Sequence, residues 1–151
     1  MKKIGLASLV MALLSGCSSP QVNWLQDSSA VISNITIGLK SNLWINQMPT
    51  ANESEIPLVH GTLRLDSSAI LPANLTIDAL MVQQRDKNWL VGSESLDLRT
   101  QSEDQWEVVF EWPMQLNVDK PVNVALQLSD GTTAQWLIEK ECLHRQSLLD
   151  L

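Results

Sequence analysis

The run from Gln105 to Pro113 limits the fold more than any other stretch of the chain. Trp106, Val108, Phe110 and Trp112 take every second position, with Glu107, Val109 and Glu111 between them. Successive side chains of a strand point to opposite faces, so this alternation predicts a strand with one buried face. Pro113 lacks an N–H for a ladder and ends the strand or places its end at an edge.

The same period recurs along the chain. Ile35, Ile37 and Leu39 alternate with Thr36 and Gly38, and the pattern resumes at Leu43 and Ile45. Val59, Gly61, Leu63 and Leu65 alternate with His60, Thr62, Arg64 and Asp66. From Leu75 to Gln83 the spacing puts Leu75, Ile77, Ala79 and Met81 on one face. Shorter strands are predicted at Trp89-Leu90-Val91 and around Leu96 and Leu98. Val122, Val124, Leu126 and Leu128 form another, and Ala134, Trp136 and Ile138 return antiparallel to it. Asp86-Lys87-Asn88 and Asp130-Gly131 read as hairpin turns, and Met48 to Glu55 as a loop.

About seven or eight short strands with turn signals roughly every 8–12 residues predict an all-β fold. The expected architecture is a single antiparallel β-sandwich, immunoglobulin-like, with a small β-barrel as the alternative. Residues 31–140 are assigned to this domain. The segment 141–151 loses the alternation and reads as a short helix or a tail.

The N-terminus carries a different signal. Lys2 and Lys3 precede an apolar run from Ile4 to Leu14. That run is about eleven residues, whereas a membrane-spanning helix needs about 20. A basic start, a short apolar core and small residues before a break mark a secretory signal. It ends in Leu14-Ser15-Gly16-Cys17, which resembles the lipobox of bacterial lipoproteins at all four positions. The resemblance implies diacylglyceryl transfer to the Cys17 sulfur, cleavage between Gly16 and Cys17, and acylation of the new amine. A thiol suits the first step because its thiolate is the nucleophile. Two or three chains anchor strongly, since each buried methylene contributes about 0.8 kcal/mol. Ser18 follows where the enteric retention signal has Asp, which implies sorting to the outer membrane, facing the periplasm. Residues 1–16 are thus the expected signal peptide, and 17–30 a lipidated, Ser-rich tether. Within it, Trp24 either meets the lipid headgroups or begins the first packing element.

Loss of the signal leaves 135 of the 151 residues, enough for one domain with its own core. It also removes two of the ten basic residues, leaving eight against seventeen acidic ones, a net charge of −9. Such a body has no electrostatic footprint for nucleic acid and no attraction to anionic lipid. Membrane attachment then falls to the lipid. Export leads to an oxidising compartment, yet Cys17 is consumed by lipid and Cys142 has no intramolecular partner. An intermolecular disulfide, a reactive thiol and a buried thiol remain open for it.

Candidate chemistry is sparse. His60 lies on a strand face with Thr62 and Arg64, and no nucleophile elbow or metal-ligand motif accompanies it. Cys142 and His144, near Glu139 and Glu141, are weak candidates for copper or zinc, with Met48, Met81 and Met114 as further thioethers. Met81 falls on an apolar face and reads as core. Glu103, Asp104, Glu107 and Glu111 read as solvated charge. Six tryptophans stand beside no tyrosine. Trp106, Trp112 and Trp136 occupy inward positions. Trp44, in register with Asn42 and Asn46, and Trp89, just after a turn, are the expected interaction surface, since Trp concentrates binding energy.

These features predict a lipid-anchored, non-enzymatic binding or structural module with no cofactor. Its expected partners are the membrane, through the lipid, and an envelope protein. The alternatives are a metal-handling lipoprotein and an envelope enzyme with dispersed catalytic residues.

Overall fold

The computed structural model describes residues 22–46, 56–117, 119–140 and 143–146. The signal, Cys17, the expected loop from Met48 to Glu55, and Cys142 lie outside these. The strands are β1 (Ser29–Ile32), β2 (Ile35–Asn46), β3 (Leu58–Ser67), β4 (Thr76–Gln84) and β5 (Lys87–Gly92). They continue with β6 (Asp97–Ser102), β7 (Gln105–Pro113), β8 (Asn123–Ser129), β9 (Ala134–Glu139) and β10 (Leu143–Gln146). One 3₁₀ turn, Ser93–Ser95, joins β5 to β6. Among the described residues no helix is long and apolar enough to cross a membrane.

The strands form two packed sheets. Sheet A runs β1-β2-β3-β7-β6, with β10 also on β2, and sheet B runs β5-β4-β8-β9. All pairings are antiparallel except that of β10 with β2. In chain order, β2-β3-β7-β6 take the A-B-E-D places of an immunoglobulin-like sandwich, and β5-β4-β8-β9 take C′-C-F-G. The sheets do not close on each other, so the fold is a sandwich and not a barrel.

The core lies where the inner faces meet. Ile37, Leu39, Leu43 and Ile45 of β2, Val59, Leu63 and Leu65 of β3, and Val108 and Phe110 of β7 face Leu80, Val82, Val91, Val124, Leu126, Leu128 and Leu137 across it. Trp106, Trp112 and Trp89 pack half-buried against this cluster. Gly61 sits between Leu43 and Phe110 in register, and the missing side chain leaves room for the Phe110 ring.

Polar groups close the ends. Gln84 is buried, and its amide donates to the carbonyls of Asn117 and Lys120 at 2.7 and 3.3 Å while accepting from the Asn117 N–H at 2.8 Å. That one side chain holds the β7–β8 connection to sheet B. At the opposite end, Asp130 accepts from the N–H groups of Thr132 and Thr133 at 3.0 and 2.8 Å. It also accepts from the Ser33 hydroxyl at 2.9 Å, tying the β8–β9 loop to the β1–β2 turn. These hydrogen bonds favour the charged carboxylate and hold Asp130 well below the usual carboxylate range.

Several expectations change. The alternation through β4 is broken by an irregularity between Ile77 and Ala79 in the pairing with β8. Asp78 is the extra residue of this bulge, and it moves every later side chain to the other face. Ile77, Leu80 and Val82 therefore point inward, while Ala79 and Met81 point out. Trp136 also faces outward, joining Ala79, Met81, Ala125 and Ile138 in a second apolar cluster. The turn after β4 is Arg85-Asp86, one step earlier than expected, and Lys87 and Asn88 belong to β5. The two-residue turn Ser33-Asn34, both at positive φ, was not anticipated. Finally, the expected tail contains β10, which pairs with the free edge of β2. A strand of this length takes its place from backbone pairing, which leaves no hydrophobic period to detect.

Candidate functional site

The outer face of sheet A carries the polar half of each strand's alternation. Antiparallel register aligns Trp44 of β2, His60 of β3 and Glu111 of β7 in one row. Directly opposed side chains on one face of such a ladder touch. The Trp44 and His60 rings accordingly stack, with centroids 5.7 Å apart and planes 13° from parallel. His60 Nδ1 lies 3.3 Å from a Glu111 carboxylate oxygen, and the His60 side chain is only 25% exposed. One ring face and one nitrogen of His60 are thus engaged within the sheet. The parallel pairing of β10 registers His144 beside Trp44.

The next rows are Asn42 with Thr62 and Val109, then Lys40 with Arg64 and Glu107. Beside the stacked rings, Lys40, Asn42, Trp44, Thr62, Arg64 and Glu107 line an open depression of about 390 Å³. Its rim is partly fixed. Arg64 Nε pairs with Asp66 at 3.2 Å, and Gln105 donates to the other oxygen of Asp66 at 2.9 Å. Gln101 donates to Glu107 at 2.9 Å. The depression therefore offers an aromatic wall, two cations, a carboxylate and neutral donors within one patch. Such a mixture orients a polar ligand or a protein side chain through several directional contacts.

The expected tryptophan surface is divided between the sheets. Trp44 stands on this outer face, whereas Trp89 of β5 packs half-buried against the core between the sheets. They do not form one patch. Glu111 and Glu107, expected as solvated charge, hold His60 and Gln101. Lys40 and Arg64 were not singled out in the sequence, because the register that joins them to Trp44 is a property of strand pairing. Of the residues considered as metal ligands, Met114 is fully buried in the core and Met81 lies in the outer apolar cluster. Glu139 is bonded to Ser41 through both the N–H and the hydroxyl, the latter at 2.9 Å. Among the described residues no group of three or more His, Cys, Asp or Glu side chains is arranged to hold a metal ion.

The outer face of sheet B is different in kind. Val22 and Trp24 pack against its apolar cluster, so the chain's own N-terminal segment covers it. Within the expected tether the chain packs on the fold from residue 22, and of the two roles expected for Trp24 the structure shows the start of the first packing element. Comparison of the chain with protein-family models, with curated proteins and with solved structures returns no match.

Proposed function

We propose that this chain is a lipid-anchored protein of the outer membrane that faces the periplasm and acts as a non-enzymatic binding or structural module. The surface assigned to this role is the outer face of sheet A. The observation that carries the assignment is the contrast between the two outer faces. One is apolar and covered by residues of the same chain. The other presents the Trp44–His60 stack beside a charged depression, with no described segment lying over it. The anchoring part of the reading is supported by Leu14-Ser15-Gly16-Cys17 in the sequence.

Two experiments test the parts separately. Cys17→Ser should abolish palmitate labelling and leave the full-length precursor, and continued labelling refutes the anchor. Photo-crosslinking residues placed at Asn42 or Thr62 should capture an envelope component in intact cells, and Arg64→Glu should remove the product. The same residue at Asn88, on sheet B, should not capture it. Equal products from both sheets, or none from sheet A, refute the surface.

A further inference from the structure

The described segment that follows the expected lipidation site is docked from Val22 on, and its docking has a direction. Val22 and Trp24 lie on the outer face of sheet B against Ala79, Met81, Ala125, Trp136 and Ile138. The chain then turns at Asn23, whose carbonyl accepts from the Gln26 N–H at 3.1 Å. Next it passes round the sandwich edge. Asp27 O accepts from the Ile138 N–H of β9 at 3.0 Å, and Ser28 O accepts from the Leu39 N–H of β2 at 2.8 Å. Residues 22–28 thus bind both sheets before β1 begins, and they start on the sheet B side.

Length now decides the orientation. Four residues separate Cys17 from Val22, and each of the five Cα-to-Cα steps spans at most about 3.6 Å in extended chain, so the link reaches about 18 Å. Packed sheets lie about 10 Å apart, and a side-chain layer of about 5 Å on each outer side makes the sandwich about 20 Å thick. A link that starts on the sheet B face cannot pass round the edge and seat its lipid beneath sheet A. We infer, on the reading that Cys17 carries the lipid, that the docked segment 22–28 fixes how the domain meets the bilayer. The sheet B side lies toward the lipid headgroups, and the Trp44–His60 face of sheet A points away from the membrane. The partner of the sheet B side is a lipid surface. Leu25 and Leu90, exposed by 87% and 43%, lie on this docked segment and on β5, the sheet B edge strand beside β4. The acidic charge of the body does not draw the domain to the bilayer, so the short link must do so.

The test uses the full-length lipidated protein with Cys142→Ser, inserted into preformed phosphatidylcholine vesicles. A fluorophore is attached through Leu90→Cys on sheet B or Asn42→Cys on sheet A. A phosphatidylcholine carrying a nitroxide at its headgroup should quench the Leu90 label several-fold more than the Asn42 label. Inserting twelve Gly/Ser residues after Ser19 leaves the docked segment intact and should abolish that difference. Trp24→Ala, checked by circular dichroism for retained strand content, should reduce it. Equal quenching at both sites in palmitate-labelled, vesicle-bound protein overturns the orientation. So does a difference that survives the insertion. Protein that neither labels with palmitate nor stays on vesicles refutes the anchor reading instead.

Discussion

Gly61→Ala puts the packing of sheet A to a direct test. A Cβ at position 61 would stand 2.1 and 2.4 Å from two Phe110 ring carbons and 2.7 Å from Leu43 Cδ2. Ordinary contact begins near 3.4 Å, so the ring must move by about 1 Å. It has little room, because Phe110 is 2% exposed and Leu43 fully buried. Forcing a methyl into a packed core costs about 1–3 kcal/mol. Replacing glycine within a strand returns about 0.5–1 kcal/mol through the unfolded chain. The net loss should be about 1–2 kcal/mol, or about 4–8 °C in Tm for a domain of this size. Urea denaturation followed by tryptophan fluorescence reads it. Phe110→Leu alone should also destabilise, since it empties part of the core. In the double variant the two losses should overlap, with a coupling of about 0.5–3 kcal/mol. A Gly61→Ala protein as stable as the parent, or a strictly additive double variant, refutes the proposed contact.

Other expectations follow from the polar ties. The lowered pKa of Asp130 means that its contribution is complete above the unfolded carboxylate value near pH 4 and is lost as pH falls toward the folded value. Asp130→Asn should therefore be less stable than the parent at neutral pH, and the gap in denaturation midpoint should narrow between about pH 4 and pH 2. Glu139→Ala should cost about 1–3 kcal/mol by leaving two Ser41 donors unpaired, and Glu139→Gln less, in the same denaturation assay. Arg85 opens a two-residue turn at φ 56, a conformation that costs a non-glycine residue about 1–2 kcal/mol. Set against the greater freedom of an unfolded glycine, Arg85→Gly should raise stability by up to about 1 kcal/mol, and a lower midpoint would count against the strain.

Much of the fold was legible because its core strands keep a strict period of two. β3 and β7 show it without interruption, and their inward rows are those expected. β8 does as well. The run Ala79-Leu80-Met81-Val82 is apolar at every position, so the sequence there fits either face, and only pairing with β8 discloses the bulge at Asp78. β10 was invisible for the opposite reason, because a short edge strand on β2 is specified by backbone hydrogen bonds. The candidate site was legible in part. Trp44 and His60 were each recognisable as aromatic or titratable residues on polar faces. That they stack, and that Glu111, Lys40 and Arg64 join them, depends on the register of β2 on β3 and of β3 on the distant β7. Trp89 misled because a position just after a turn resembles a surface position, while its pairing with Val82 turns it inward.

The bulge in β4 links the two faces of the molecule. Without the bulge, strict alternation through Asp78 would keep Ala79 and Met81 in the inward row begun by Leu75 and Ile77, and Leu80 and Val82 would point outward. With it, the wider Leu80 and Val82 enter the core, and Ala79 and Met81 meet Ala125, Trp136 and Ile138 outside. An apolar outer face on an antiparallel sheet exposed to water has to be covered. Val22 and Trp24 provide that cover, which draws the N-terminal segment onto sheet B and away from sheet A. Among the described residues nothing lies over the polar rows of β2, β3 and β7, and the Trp44–His60 stack lies on the side opposite the docked segment. One bulge in a strand of sheet B thus decides which face of the sandwich the N-terminal segment covers.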